Sequence, residues 1–105
     1  MVSPPSLDEI TQRIVSALDP RRIVVFGSRA RGDEQADSDL DLMIEMETDL
    51  SWFERVRRVD ALFADRRWPM DFLVFTPEEV REQRPKRNSV IRQIEMEGRV
   101  LYERS

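Results

Sequence analysis

Three aspartates and a glycine–serine pair are the residues best suited to chemistry in this sequence. Asp39 and Asp41 stand in the string Asp39-Leu40-Asp41-Leu42-Met43-Ile44, a near-strict alternation of acidic and apolar residues. Period-two alternation is the pattern of a half-buried strand, because residues two apart share a face. Leu40, Leu42 and Ile44 then face a core, and Asp39 and Asp41 lie side by side on the opposite face. Neighbouring carboxylates repel and raise each other's pKa unless something cationic sits between them. A hard divalent cation such as Mg²⁺ relieves that repulsion. It takes oxygen ligands at about 2.1 Å and leaves its other positions to water and phosphate oxygens.

Upstream, the apolar run Ile23-Val24-Val25-Phe26 stops at Gly27-Ser28. Glycine at a strand end lets backbone approach a ligand closely. Ser28 and the N–H groups after it, opening a helical turn, suit a phosphate. Arg29 and Arg31 can add charge-assisted contacts. Asp37-Ser38 supports the loop, with Ser38 available as a donor behind the ligands. A phosphate seat thus lies beside a metal seat, the order that a nucleoside triphosphate with Mg²⁺ requires. Each piece alone has a plainer reading. The acids can be the solvated face of an edge strand, continued by Glu45 and Glu47. Gly27-Ser28 can be an ordinary turn, and Arg29 and Arg31 a solvated loop. Gly27-Ser28 and the two acids at fixed spacing together favour the nucleotide–metal site.

Gly27-Ser28, then ten residues, then Asp39-x-Asp41 resembles the signature of the DNA polymerase β-like nucleotidyltransferase superfamily. The string GSRARGDEQADSDLDL resembles its smallest members, the minimal nucleotidyltransferases, often the antitoxin half of toxin–antitoxin pairs with HEPN-domain ribonucleases. The resemblance covers nearly the whole chain. It implies an α/β (α+β) fold, a small mixed β-sheet with helices packed mainly on one face. It also implies a third carboxylate from a later strand. Asp71, the polar residue in the apolar run Met70 to Phe75, stands where that carboxylate would be. Burying an unpaired carboxylate is costly, and a strand beside the Asp39–Ile44 strand would bring Asp71 to the same metal. The alternative for Asp71 is a helix cap or a pair with an arginine such as Arg67.

The implied activity is transfer of AMP from ATP to a hydroxyl, a tyrosine of a HEPN toxin. Two Mg²⁺ ions would lie between Asp39, Asp41, Asp71 and the triphosphate. Asp71 would accept the acceptor's proton, directly or through the metal it helps hold. A rival of another class is an antitoxin or nucleotide-binding protein that neutralises its partner by occlusion alone. A nucleotide sensor and an RNA-directed transferase are further alternatives.

Composition narrows the field. With 105 residues, the chain has the length of one domain, residues 1–105. It contains no cysteine and no histidine, so disulfides, Cys/His zinc sites, thiol nucleophiles and histidine acid–base chemistry are excluded. The net charge of −4, from 21 acidic and 17 basic residues, argues against a free nucleic-acid binder. No apolar run approaches the roughly 20 residues of a membrane span. The N-terminal MVSPPSLDEI lacks the features of a signal peptide, so a cytoplasmic location is expected.

The positioning elements follow from periodicity. Ser6-Leu7-Asp8-Glu9 is a capping-box pattern, and Leu7, Ile10, Ile14 and Leu18 recur at helical spacing, predicting a helix over 7–18 that Asp19-Pro20 ends. Strands are expected over 22–26, 39–44 and 70–75. Between the last two, Trp52, Val56, Val59 and Phe63 form a core stripe on a helix running to about 66, with Arg55 and Arg58 on its outer face. Thr76-Pro77-Glu78-Glu79 starts a short helix ended by Pro85. A last helix over 87–97 turns Val90, Ile91 and Ile94 inward and stops at Gly98 as a C′ glycine; Arg99–Glu103 is an edge strand.

Overall fold

The computed structural model describes residues 6–27, 40–65 and 69–104. Helix α1 (Leu7–Leu18) forms where Ser6 caps it: the Ser6 side chain accepts from the Glu9 N–H at 3.1 Å. It ends at Asp19 in the left-handed region, with φ 48° and its N–H returned to the Val15 carbonyl. Aspartate tolerates that conformation better than most residues. Strand β1 (Arg22–Phe26) follows, then β2 (Leu40–Glu45), α2 (Trp52–Ala61), β3 (Met70–Phe75), α3 (Pro77–Gln83), α4 (Val90–Glu97) and β4 (Arg99–Glu103).

The strands make one sheet in the order β3-β2-β1-β4. β1 pairs antiparallel with both β2 and β4, and β2 pairs parallel with β3. The sheet is therefore mixed. The β2–β3 connection carries α2, as a parallel crossover requires. One face holds the larger core. There Ile23 and Val25, Leu40, Leu42 and Ile44, and Phe72 and Val74 meet Ile10 and Ile14 of α1, Val59 of α2 and Phe63 beyond it. Helices α1 and α2 cover this face. The opposite face is not bare: Ile94 of α4 packs over Val24 and Met43. No helix among the described residues is long and apolar enough to cross a membrane.

Three helix details differ from the sequence expectation. α2 ends at Ala61, not near residue 66. The Leu62 and Phe63 N–H groups bond the carbonyls three residues back, Val59 and Asp60, so the chain tightens into a turn. Phe63 reaches the core from that turn, stacked 5.7 Å from Phe72, whereas Trp52 is half-exposed against Phe75. Arg55 is not on an outer face. It donates to the Leu50 and Val74 carbonyls and, at 2.7 Å, to Glu79 of the α3 capping box. α4 starts at Val90, not 87, because Ser89 accepts from the Arg92 N–H, and Val90 itself is exposed. Gly98 does stop α4, but in extended backbone at φ −83° rather than a left-handed C′ turn.

Candidate functional site

The site is built at the end of the sheet where β1 leaves and β2 and β3 enter. Leu40, Leu42 and Ile44 turn into the main core, so Asp41 projects from the opposite face, half-buried. The same alternation on β3 buries Met70, Phe72 and Val74 and leaves Asp71 exposed. In the parallel ladder Asp41 and Asp71 are register partners. Partners on adjacent strands sit about 4.8 Å apart along the hydrogen-bonding direction. Two carboxylates separated by 30 residues of sequence thus share one face and one level of the sheet.

Across the other ladder Asp41 is the partner of Phe26, which places it beside Gly27. Gly27 has φ +79°, in the left-handed region, and a Cβ built on it would overlap the Asp41 Oδ2 atom. The strand-end glycine therefore has two reasons to be glycine: its backbone conformation and the carboxylate packed against it. Ser28, Arg29, Arg31, Ser38 and Asp39 lie outside the described residues, as does Arg67, the cation named as an alternative partner for Asp71. Of the predicted site residues, the structure brings together Gly27, Asp41 and Asp71.

The donor set fits a hard divalent cation. Both side chains are carboxylates, they are adjacent, and the missing Cβ at Gly27 leaves backbone close to one of them. Among the described residues no group of three His, Cys, Asp or Glu converges; Asp39, expected to ligate with Asp41 and Asp71, lies beyond them.

Two features of this sheet face were not found by sequence reasoning. A cleft of about 240 Å³ opens beside Gly27, floored by Phe26 and Ile94 and walled by Val90, Gln93 and Glu97 of α4. Exposed Val90 is part of that wall, and its place was hidden because helical spacing alone assigned it to the core. Glu45 does not continue a solvated acid face. It is 6 % exposed and forms an ion pair with Arg22 across the β1–β2 ladder. Arg22 heads an apolar strand, but its partners Glu45 and Glu95 come from other elements and nothing local in the sequence names them.

A mixed sheet in this order, with a tight glycine turn facing paired aspartates at one end, defines a domain of the nucleotidyltransferase class. The chain belongs to the polymerase beta nucleotidyltransferase family, whose model matches residues 8–105. Two solved structures share the fold. One is a candidate nucleotidyltransferase from Sulfolobus solfataricus, with a TM-score of 0.63 and 22 % identity over 91 % of this chain and 76 % of that one. The other is a toxin–antitoxin structure with AMP-PNP, with a TM-score of 0.61 and 16 % identity over 93 % of this chain and 73 % of that one. No curated protein matches the sequence.

Proposed function

We propose that this protein transfers AMP from ATP to a tyrosine hydroxyl of a HEPN-type toxin and so acts as its antitoxin. The observation that carries the proposal is the register pairing of Asp41 with Asp71 beside the Gly27 turn. Family membership supports nucleotidyl transfer, and the likeness to a toxin–antitoxin structure holding an ATP analogue supports the partner class.

In this reading Asp39, Asp41 and Asp71 hold Mg²⁺. The bound metal supplies charge neutralisation at the triphosphate and a lowered pKa at the acceptor hydroxyl. Gly27 brings backbone against the phosphates, and Ser28, with the N–H groups after it, fixes them. Arg29 and Arg31 contribute charge-assisted contacts, and Ser38 stands behind the ligands. Asp71, which is exposed on β3, would take the acceptor's proton, directly or through the metal it helps hold. The remainder of the rate enhancement is positioning and fixed electrostatics.

The test is incubation with α-labelled ATP, Mg²⁺ and lysate of the source organism, with Asp41→Asn and Asp71→Asn in parallel. The expected result is a labelled protein band that both substitutions abolish. Asp71 is exposed, so Asp71→Asn should change stability by no more than about 0.5 kcal/mol, and loss of label then reports chemistry rather than unfolding. Absence of label with any of the four nucleotides, with tight binding to one small protein retained, would overturn the transferase reading in favour of occlusion.

A further inference from the structure

The cleft beside Gly27 is not used by the metal and phosphate contacts proposed above. Val90, Gln93, Ile94 and Glu97, which line it, recur at i, i+3, i+4 and i+7, so one stripe of α4 faces it. Ile94 is buried and anchors that stripe over Val24 and Met43, while Val90 is left 53 % exposed. Phe26, on the sheet side, packs against the same small core. The lining is therefore mostly apolar, with two polar side chains, Gln93 and Glu97, one helical turn apart.

Across this end of the sheet the order is Asp71 on β3, Asp41 on β2, then Phe26 and Gly27 at the end of β1. The cleft thus lies on the far side of Asp41 from Asp71. In the transferase reading, on which this inference rests, Asp71 takes the acceptor's proton, so the acceptor comes in over β3. The β1 side is left to the donor nucleotide, with its phosphates at the glycine turn and its nucleoside in the space beside it. At about 240 Å³ the cleft falls below the roughly 300 Å³ at which ligand pockets begin, so it takes one planar group rather than a whole nucleotide. A nucleobase is such a group: its faces stack on aromatic and apolar side chains, and only its edge needs hydrogen bonds. Gln93 is exposed and has no hydrogen bond from its side chain to another described residue, whereas Glu97 already has a partner. The Gln93 amide offers a carbonyl acceptor and an NH₂ donor in one plane. Adenine answers with its N6 amino donor beside the N7 acceptor. Guanine presents two acceptors there, O6 and N7, and one of them then opposes the amide carbonyl.

We infer that the cleft between α4 and the end of β1 binds the base of the donor nucleotide and that Gln93 selects adenine there.

The test measures MgATP and MgGTP binding to the full chain by titration calorimetry, in the parent and in Gln93→Leu. The substitution changes an exposed side chain of similar size and leaves the fold intact. The parent should bind MgATP about tenfold more tightly than MgGTP, and Gln93→Leu should bring the two affinities together. In the ¹⁵N-labelled parent, MgATP should also shift the Gln93 side-chain NH₂ resonance saturably, that resonance being assigned by its loss in Gln93→Leu. Equal affinities in the parent, a preference for MgGTP, or a preference that survives in Gln93→Leu would overturn the base assignment. So would MgATP binding that leaves the Gln93 resonance unmoved. The transferase reading is decided separately, by whether the parent still gives the Asp41-dependent labelled band. If neither nucleotide binds, both fall.

Discussion

Gly27 decides where the Asp41 carboxylate can lie. Its φ of +79° costs any residue with a Cβ about 1–2 kcal/mol. Added to that, the new methyl would occupy the position of Asp41 Oδ2, so the carboxylate must move. Gly27→Ala should therefore lower the melting temperature by about 5–15 °C. It should also cut label transfer roughly a hundredfold, the order expected when a reacting group is misplaced by about 1 Å. Thermal melts beside the labelling assay would check both, and a variant that melts with the parent would contradict the close approach. At this scale the sequence was most informative. The alternation about Asp41 and the lone acid in Met70–Phe75 pointed to their face, and β2–β3 pairing put them in register. It was least informative about Arg22, because a cation's burial depends on partners from β2 and α4 that no local pattern reveals.

Among the elements, α4 is the one whose placement matters to both ends of the sheet. Ile94 anchors it over Val24 and Met43, and its exposed side walls the cleft beside Gly27. Its exit is set by space rather than by turn conformation. A Cβ on Gly98 would lie 2.5 Å from the Ile94 carbonyl oxygen, 2.6 Å from Val24 Cγ1 and 2.9 Å from the Val25 carbonyl oxygen. Two of those three neighbours are backbone and cannot rotate away. Gly98→Ala must then push α4 from β1 or detach Arg99 from Val25, its partner at the start of β4. The expected cost is about 1–3 kcal/mol, typical of overpacking. Amide exchange should show β4 losing protection before β2 and β3 do; uniform loss would place the strain elsewhere. Sequence periodicity found α1, β1, β3 and β4 because caps and prolines bracket them. It overran α2 and α4 because helical spacing continues through Phe63 and begins before Ser89, whereas tight turns and the Ser89 cap set the true ends.

Across the whole molecule, the sheet face opposite the main core has two unlike ends. One end presents Asp41 and Asp71. The other is tied together by an ion network in which Glu95 of α4 receives Arg22 of β1 and Arg84 at the end of α3. That network was not legible in the sequence, because it joins residues 73 and 11 positions apart through the folded sheet. Its pH behaviour follows from charge. The hydrogen bonds from Arg84 hold the Glu95 carboxyl below its ordinary value of 4.5; burial opposes this, and Arg22 adds to the lowering. Arg84 is correspondingly held protonated by Glu95. A carboxylate whose pKa is depressed on folding binds protons more readily unfolded than folded. Its stabilising contribution is thus complete above about pH 4.5 and is lost as the pH falls through the lower, folded value. Protonation would release two guanidiniums, one of them buried, and loosen α3 and α4 from the sheet. Glu95→Gln removes that titration but leaves Arg22 poorly matched, so it should cost about 1–3 kcal/mol at neutral pH. Melting temperatures measured from pH 7 down to 3 should fall steeply for the parent below about 4.5 and less steeply for Glu95→Gln, so the two curves converge in acid. Parallel curves would mean that other carboxylates carry the acid sensitivity and that the Glu95 network is not what holds α3 and α4 to the sheet.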